Sequence, residues 1–152
     1  MTEILVVGID PDIEASGVAV YDCSLRAFVL CTTMSLPDLA AWLSEVPVSD
    51  TLVVLEESSL STKNWHISPR DSIYVAAAKG RSVGLCHATA RHISEFCNKF
   101  GIGYIAKTPL KLNWKNGKAS HEEVASILPG CPKKTNQEVR DAMLLAWNIV
   151  RR

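Results

Sequence analysis

Apolar residues arrive in short unbroken blocks through the first third of the chain. Ile4–Ile9, Gly17–Asp22 and Ala27–Thr33 are rich in β-branched and aliphatic residues and are separated by Asp, Pro, Ser and Arg, which predicts three strands joined as a meander. Leu36, Leu39, Ala40 and Leu43 then recur at helical intervals. This predicts a helix over Leu36–Val46 with Ser35 as N-cap and Pro37 at an early helical position. Thr51–Leu55 is a short apolar strand of the kind covered on both faces, and it ends in Glu56-Glu57. A polar loop, Ser58–Pro69, carries Lys63, Asn64, Trp65 and His66 and leads to a long helix, capped by Asp71 or Ser72, that reaches Phe100. Gly80 and Gly84 lie inside that helix at a cost in helix propensity, which predicts the close approach of another backbone. Tyr104–Lys107 reads as a fifth strand, Pro109–Gly117 as a basic connection, and Ser120–Leu128 as a helix opened by the capping box Ser120-x-x-Glu123. Thr135–Val150 is the last helix. The order βββ-α-β-α-β-α-α predicts an α/β fold, with no repeat or linker to divide residues 1–152 into more than one domain.

At 152 residues the chain is long enough to bury roughly 70% of its unfolded surface without staples. No apolar run approaches the length of a membrane span, and the N-terminus enters a strand without a signal pattern. A cytoplasmic protein with no membrane association is therefore expected, in a host cytoplasm if the chain is viral; a nuclear or organellar location stays open. The five cysteines (Cys23, Cys31, Cys86, Cys97 and Cys131) are odd in number and form no Cys-x-x-Cys pair. Free thiols are expected, not a disulfide framework or a zinc site.

The formal net charge of zero is a cancellation. Residues 1–60 hold ten acids and one base, Arg26, whereas residues 61–152 hold six acids and fifteen bases. Such polarity can set a basic surface beside an acidic, cation-collecting pocket, as the cutting of a polyanion requires. The acid that stands out is Asp10, at the rim of the first apolar block. A carboxylate fixed there is costly to desolvate unless something positive compensates it, and a divalent metal is a common compensator. A plain Asp10-Pro11-Asp12 turn between strands is the other reading of these residues.

Val7-Gly8-Ile9-Asp10-Pro11 followed by Ser16-Gly17-Val18-Ala19-Val20 resembles the first motif of the RuvC family of Holliday junction resolvases. Val54-Leu55-Glu56 resembles that family's second acidic motif, and Lys79-Gly80-Arg81-Ser82-Val83-Gly84 its glycine-bearing helix. Thr108-Pro109-Leu110-Lys111 is similar to its basic connection, and Glu138-Val139-Arg140-Asp141-Ala142 to its terminal acidic helix. The motifs recur in order over essentially the whole chain. The resemblance implies a ribonuclease H-like fold, with a mixed five-stranded sheet (the meander plus two further strands) flanked by helices. It further implies a structure-selective endodeoxyribonuclease that resolves four-way DNA junctions as a homodimer.

Glu138 and Asp141 are three apart, so a helix sets them on one face, from which both can meet Asp10 and Glu56. Four oxygen ligands of this kind suit Mg²⁺ or Mn²⁺, and two ions about 4 Å apart can promote an in-line phosphodiester displacement. Two readings of Glu138 stand, because Thr135-x-x-Glu138 also satisfies a capping box. Glu57 follows Glu56 directly, and the pleat turns only one of the pair toward the site; Glu56 is favoured. The resemblance implies Lys118 as a further catalytic group, and Lys111, Lys118, His121 and Arg81 as DNA contacts.

The chain departs from the family at Asp12, where glycine is usual, at Ser59, where an aromatic residue is frequent, and at His121, which takes a lysine position beside Lys118. Ser59 bears on junction specificity, for which Trp65 is a conceivable substitute. His87 and His92 read as packing or surface groups, and Trp42, Trp114 and Trp147 as core anchors. Three rivals remain: a related nuclease acting on other branched DNA or on RNA, a sugar or acetate kinase of actin-like fold, and a non-catalytic nucleic-acid-binding module. The kinase would need a second domain and further glycine-rich loops, and the binding module would have no use for an acid at every motif.

Overall fold

The computed structural model of the chain describes residues 4–60, 68–109 and 118–151. Five strands and four helices follow in order: β1 (Leu5–Asp10), β2 (Ser16–Asp22), β3 (Ala27–Met34), α1 (Leu36–Leu43), β4 (Thr51–Glu56), α2 (Ile73–Phe100), β5 (Gly103–Lys107), α3 (His121–Ile127) and α4 (Gln137–Val150). The strands form one sheet in the order β3-β2-β1-β4-β5. β1 pairs antiparallel with β2 and β2 with β3, whereas β1 with β4 and β4 with β5 run parallel. The α/β class and the mixed five-stranded sheet flanked by helices are as expected from the sequence.

The helix ends follow local chemistry. Ser35 caps α1 through Asp38 N, and α1 stops at Leu43, short of the expected Val46, because Ser44 closes it and Pro47 follows. Ser72, not Asp71, caps α2, and Gly101 ends it at φ +73°, a left-handed cap that glycine adopts without Cβ strain. The Ser120–Glu123 capping box is formed in both directions. At α4 the capping reading of Glu138 fails. The N-cap is Asn136, whose side chain accepts from Val139 N at 2.9 Å, and so the Thr135-x-x-Glu138 box is not made. Thr135 is held instead by its contacts to His121 and Arg140.

Alternation along β1, β2 and β4 splits the core in two. Val7, Ile9, Val18, Val20, Val53 and Leu55 face α1 and α2, packing with Leu39, Leu43, Ile93 and Cys97. Val6, Ala19, Tyr21 and Val54 face α4, whose Val139, Ala142, Met143, Leu145 and Ala146 are buried. Trp147 packs edge-on to Tyr21 at 5.9 Å between ring centroids, and Trp42 is half-buried against the other cluster, so both are anchors as read; Trp114 lies outside the described residues.

Two glycines set how closely α4 lies on the sheet. A Cβ on Gly8 would overlap the Ala142 carbonyl, and one on Gly17 the Glu138 carbonyl. Among the described residues, a Cβ at Gly80 or Gly84 would meet nothing within 4 Å. A close approach of another backbone is therefore found at the strand pair, whereas at the helical pair none is made by the described residues of the same subunit. The reason is that the first half of α2 projects beyond the sheet: Ile73 and Tyr74 are 79% and 85% exposed, and burial resumes at Thr89.

Candidate active site

Parallel pairing brings the first two acids together. Ile9 is level with Leu55 in the β1–β4 ladder, so Asp10 and Glu56, one residue further on, end neighbouring strands side by side. Both side chains have the parity of Gly8 and Val54 and therefore turn to the α4 face. Glu57 is turned away from that face. Its N–H donates to the Lys107 carbonyl at 2.7 Å, and its carboxylate accepts from Ser59 Oγ at 3.4 Å.

The two readings of Asp10-Pro11-Asp12 are divided between its acids. Asp12 is the turn residue: its Oδ1 accepts from Glu14 N at 2.9 Å and Ala15 N at 3.4 Å, while Ser16 Oγ accepts from Asp12 N at 3.1 Å. Asp10 belongs to the strand and takes no part in that turn. Behind it, Cys86 Sγ on α2 donates to the Pro11 carbonyl at 3.4 Å. All five cysteines are free thiols, as expected.

The contact of α4 with Gly17 carries its first turns to the same edge, since Gly17 is the β2 partner of Asp10. Glu138 and Asp141 follow one turn apart. Asp141 is held at both oxygens: Gln137 Nε2 donates to Oδ1 at 2.8 Å and Lys118 Nζ to Oδ2 at 2.9 Å. The Asp141 side chain is only 14% exposed whereas Lys118 is 63% exposed, so the pair spans the wall of the site and its rim. An ion pair this open contributes about 1 kcal/mol or less, and its significance is positional.

Burial, then the charges of Glu56 and Asp141, push the Asp10 carboxyl up to about 8; Lys118 opposes the rise and Glu138 adds slightly to it. Glu56 is also raised, by burial first, with Lys118 opposing and Asp141 adding. For Lys118, burial pulls downward, but its hydrogen bond to Asp141 and the charges of Asp141, Glu56 and Asp10 outweigh it and raise the ammonium above its usual range. These groups therefore share one electrostatic pocket. Among the described residues, no three His, Cys, Asp or Glu side chains are disposed as they stand to hold a single ion. The donor set nevertheless fits a hard divalent cation: it is all carboxylate oxygen, and Asp10 retains its proton near neutrality unless positive charge compensates it.

His121 opens α3 with Nδ1 2.8 Å from Thr135 Oγ1, a tie between α3 and the approach to α4. Arg81 is exposed on α2. Lys111, Lys63, Asn64, Trp65 and His66 fall outside the described residues. His87 is half-buried on α2, and His92 is exposed beside Glu95 at 3.5 Å.

Two residues around the site were not among the sequence candidates, although Arg140 stands within the Glu138–Ala142 motif. Gln137 stands four before Asp141, a spacing that puts an amide beside a carboxylate on one helix face and could have marked it. Arg140 gives no such signal, because its partners Ala119 and Thr135 are set by tertiary structure.

No protein-family model matches the chain, and no curated protein matches it. Among solved structures, Thermus thermophilus RuvC in complex with a Holliday junction substrate superposes with a TM-score of 0.56 at 20% identity, covering 94% of this chain and 90% of that one. The likeness is one of fold, and it agrees with the ribonuclease H-like architecture of the mixed sheet.

Proposed function

We propose that the chain is a metal-dependent, structure-selective endonuclease that resolves four-way DNA junctions, working as a homodimer of single-domain subunits. The observation that carries this reading is the meeting of Asp10 and Glu56, from adjacent strand ends, with Asp141 and Lys118 at one edge of a fold like that of a junction-bound RuvC.

Asp10, Glu56, Asp141 and Glu138 would hold the divalent ions, Mg²⁺ or Mn²⁺, with Asp10 central because it feels each of the other three acids. Such ions, when bound, supply Lewis-acid stabilisation of the charge that builds on the phosphate during in-line displacement. The chain's own residues do the rest. Gln137 fixes the Asp141 carboxylate, and Lys118, exposed at the rim, neutralises and orients the scissile phosphate. The basic residues of the second half, among them Lys111 and Arg81, attract the DNA backbone.

Cutting two opposed strands symmetrically calls for two sites on a two-fold axis. The exposed start of α2 supports this helix as the dimer face: Ile73 and Tyr74 are largely uncovered, and among the described residues nothing lies over Gly80 and Gly84. Among the described residues no helix is long and apolar enough to cross a membrane.

The test is incubation of labelled four-way junction, duplex, flap and RNA–DNA hybrid in Mg²⁺ or Mn²⁺ with the wild type and Asp10→Asn, alongside sedimentation with and without junction. Symmetric nicks in the junction alone, made by a dimer and lost in Asp10→Asn, are expected. A monomer that cuts linear duplex or hybrid equally well would overturn the resolvase reading and leave a general nuclease.

A further inference from the structure

Arg140 is half-buried and reaches three segments at once. Its Nε donates to the Ala119 carbonyl at 2.9 Å, immediately after Lys118. Its Nη1 donates to the Thr135 carbonyl at 2.8 Å and to Thr135 Oγ1 at 3.2 Å, and that hydroxyl also pairs with His121 at the start of α3. Its Nη2 donates to Gln137 Oε1 at 3.2 Å.

A guanidinium has donors only and does not lose its charge in proteins. The Gln137 carbonyl oxygen must therefore face Arg140, which leaves its amide hydrogens to face Asp141 Oδ1. The chain of donation has one direction and ends on a carboxylate oxygen. On its other side, the bond to Ala119 fixes the backbone from which Lys118 reaches Asp141 Oδ2. Both oxygens of Asp141 are thus set by one cation that touches neither of them.

We infer that Arg140 is a positioning residue. Through Ala119 on one side and Gln137 on the other it holds Lys118 and Asp141 in register, and its planar fork is what allows both at once. Lysine at this position keeps the charge but cannot bridge the carbonyls and the Gln137 amide together. The inference rests on reading Lys118 and Asp141 as part of the nuclease site, but it concerns a geometry that can be measured without cleavage.

The test uses Arg140→Lys and Gln137→Met in the full chain, followed by ¹⁵N NMR of lysine ammonium groups in chelator. Gln137→Met leaves the Ala119 bond intact and remains informative if Arg140→Lys folds poorly. The wild type should give a slowly exchanging Nζ resonance, assigned to Lys118 by its loss in Lys118→Ala. It should broaden or shift in both variants while the melting temperature of Gln137→Met stays near wild type. On four-way junction, single-turnover cleavage should fall about tenfold or more with binding within about twofold, as for groups that orient metal ligands. An unchanged Lys118 resonance in both variants, no such resonance in the wild type, or a loss of junction affinity parallel to the loss of rate would overturn the inference. A wild type that cuts no nucleic acid would overturn the nuclease reading alone, and the Lys118 resonance would still decide the role of Arg140.

Discussion

The Lys118 ammonium lies 2.9 Å from Asp141 Oδ2 across a separation of 23 residues, and its charge opposes the rise of the Asp10 carboxyl. An acidic pocket at the carboxyl ends of the interior strands β1 and β4 thus carries its own partial counter-charge, supplied from just before α3.

Removing a ligand's charge at nearly constant volume separates catalysis from folding. Asp10→Asn, Glu56→Gln and Asp141→Asn are each expected to abolish cleavage while circular dichroism and junction binding persist. Full activity in any one of these purified variants removes that residue from the site.

Glu138 is relieved of the capping role by Asn136. Glu138→Gln should therefore leave the melting temperature within a degree or two, by the small size of surface effects, and should cripple cleavage. Activity near wild type would reduce the acid set to three.

The raised Asp10 pKa makes stability depend on pH in a definite direction. With a folded pKa of about 8 against an ordinary value of 3.8, the native state keeps a proton that the unfolded state releases between those values, so stability falls as pH rises through that window. The raised Glu56 acts in the same sense. In chelator, Asp10→Asn should be more stable than wild type at pH 8 by a few kcal/mol, since each pKa unit is worth about 1.4 kcal/mol. That advantage should shrink toward pH 4. Thermal melts across the range check it, and an equal gap at every pH would contradict the cause given.

Gly8, Gly17, Gly80 and Gly84 divide by what a methyl group would meet. Gly8→Ala and Gly17→Ala push α4 off the sheet and should cost about 1–3 kcal/mol or more, as overpacking does. Gly80→Ala and Gly84→Ala meet nothing among the described residues and should raise the stability of an isolated subunit by about 0.5–1 kcal/mol each. Should the latter pair instead weaken self-association in sedimentation, α2 would gain direct support as the dimer face.

Substrate binding by the basic half is accessible through salt. Lys111→Ala with Lys118→Ala should lower junction affinity and flatten the log–log salt slope by about one unit for each phosphate no longer neutralised. A slope equal to that of the wild type would move the DNA-binding surface elsewhere.

Element types were legible in the sequence because they answer to local rules: unbroken apolar blocks became β1, β2, β3 and β4, helical spacing became α1, and Ser120-x-x-Glu123 formed its capping box. The choice of Glu56 over Glu57 as the residue facing α4 was also within reach, because the parity of a strand end follows from its apolar neighbours. Three matters required the tertiary structure. Which glycines admit a neighbouring backbone depends on where α4 lands, and neither the strand position of Gly8 and Gly17 nor the motif that holds them says what approaches them. Which residue caps α4 was a contest between Thr135 and Asn136, decided by Arg140 and His121 engaging the threonine hydroxyl. Finally, the bonds of Lys118 to Asp141 and of Arg140 to Ala119 depend on the path taken into α3 and α4, because hydrogen bonds between distant segments leave no periodicity in the chain, unlike the four-residue spacing of Gln137 and Asp141.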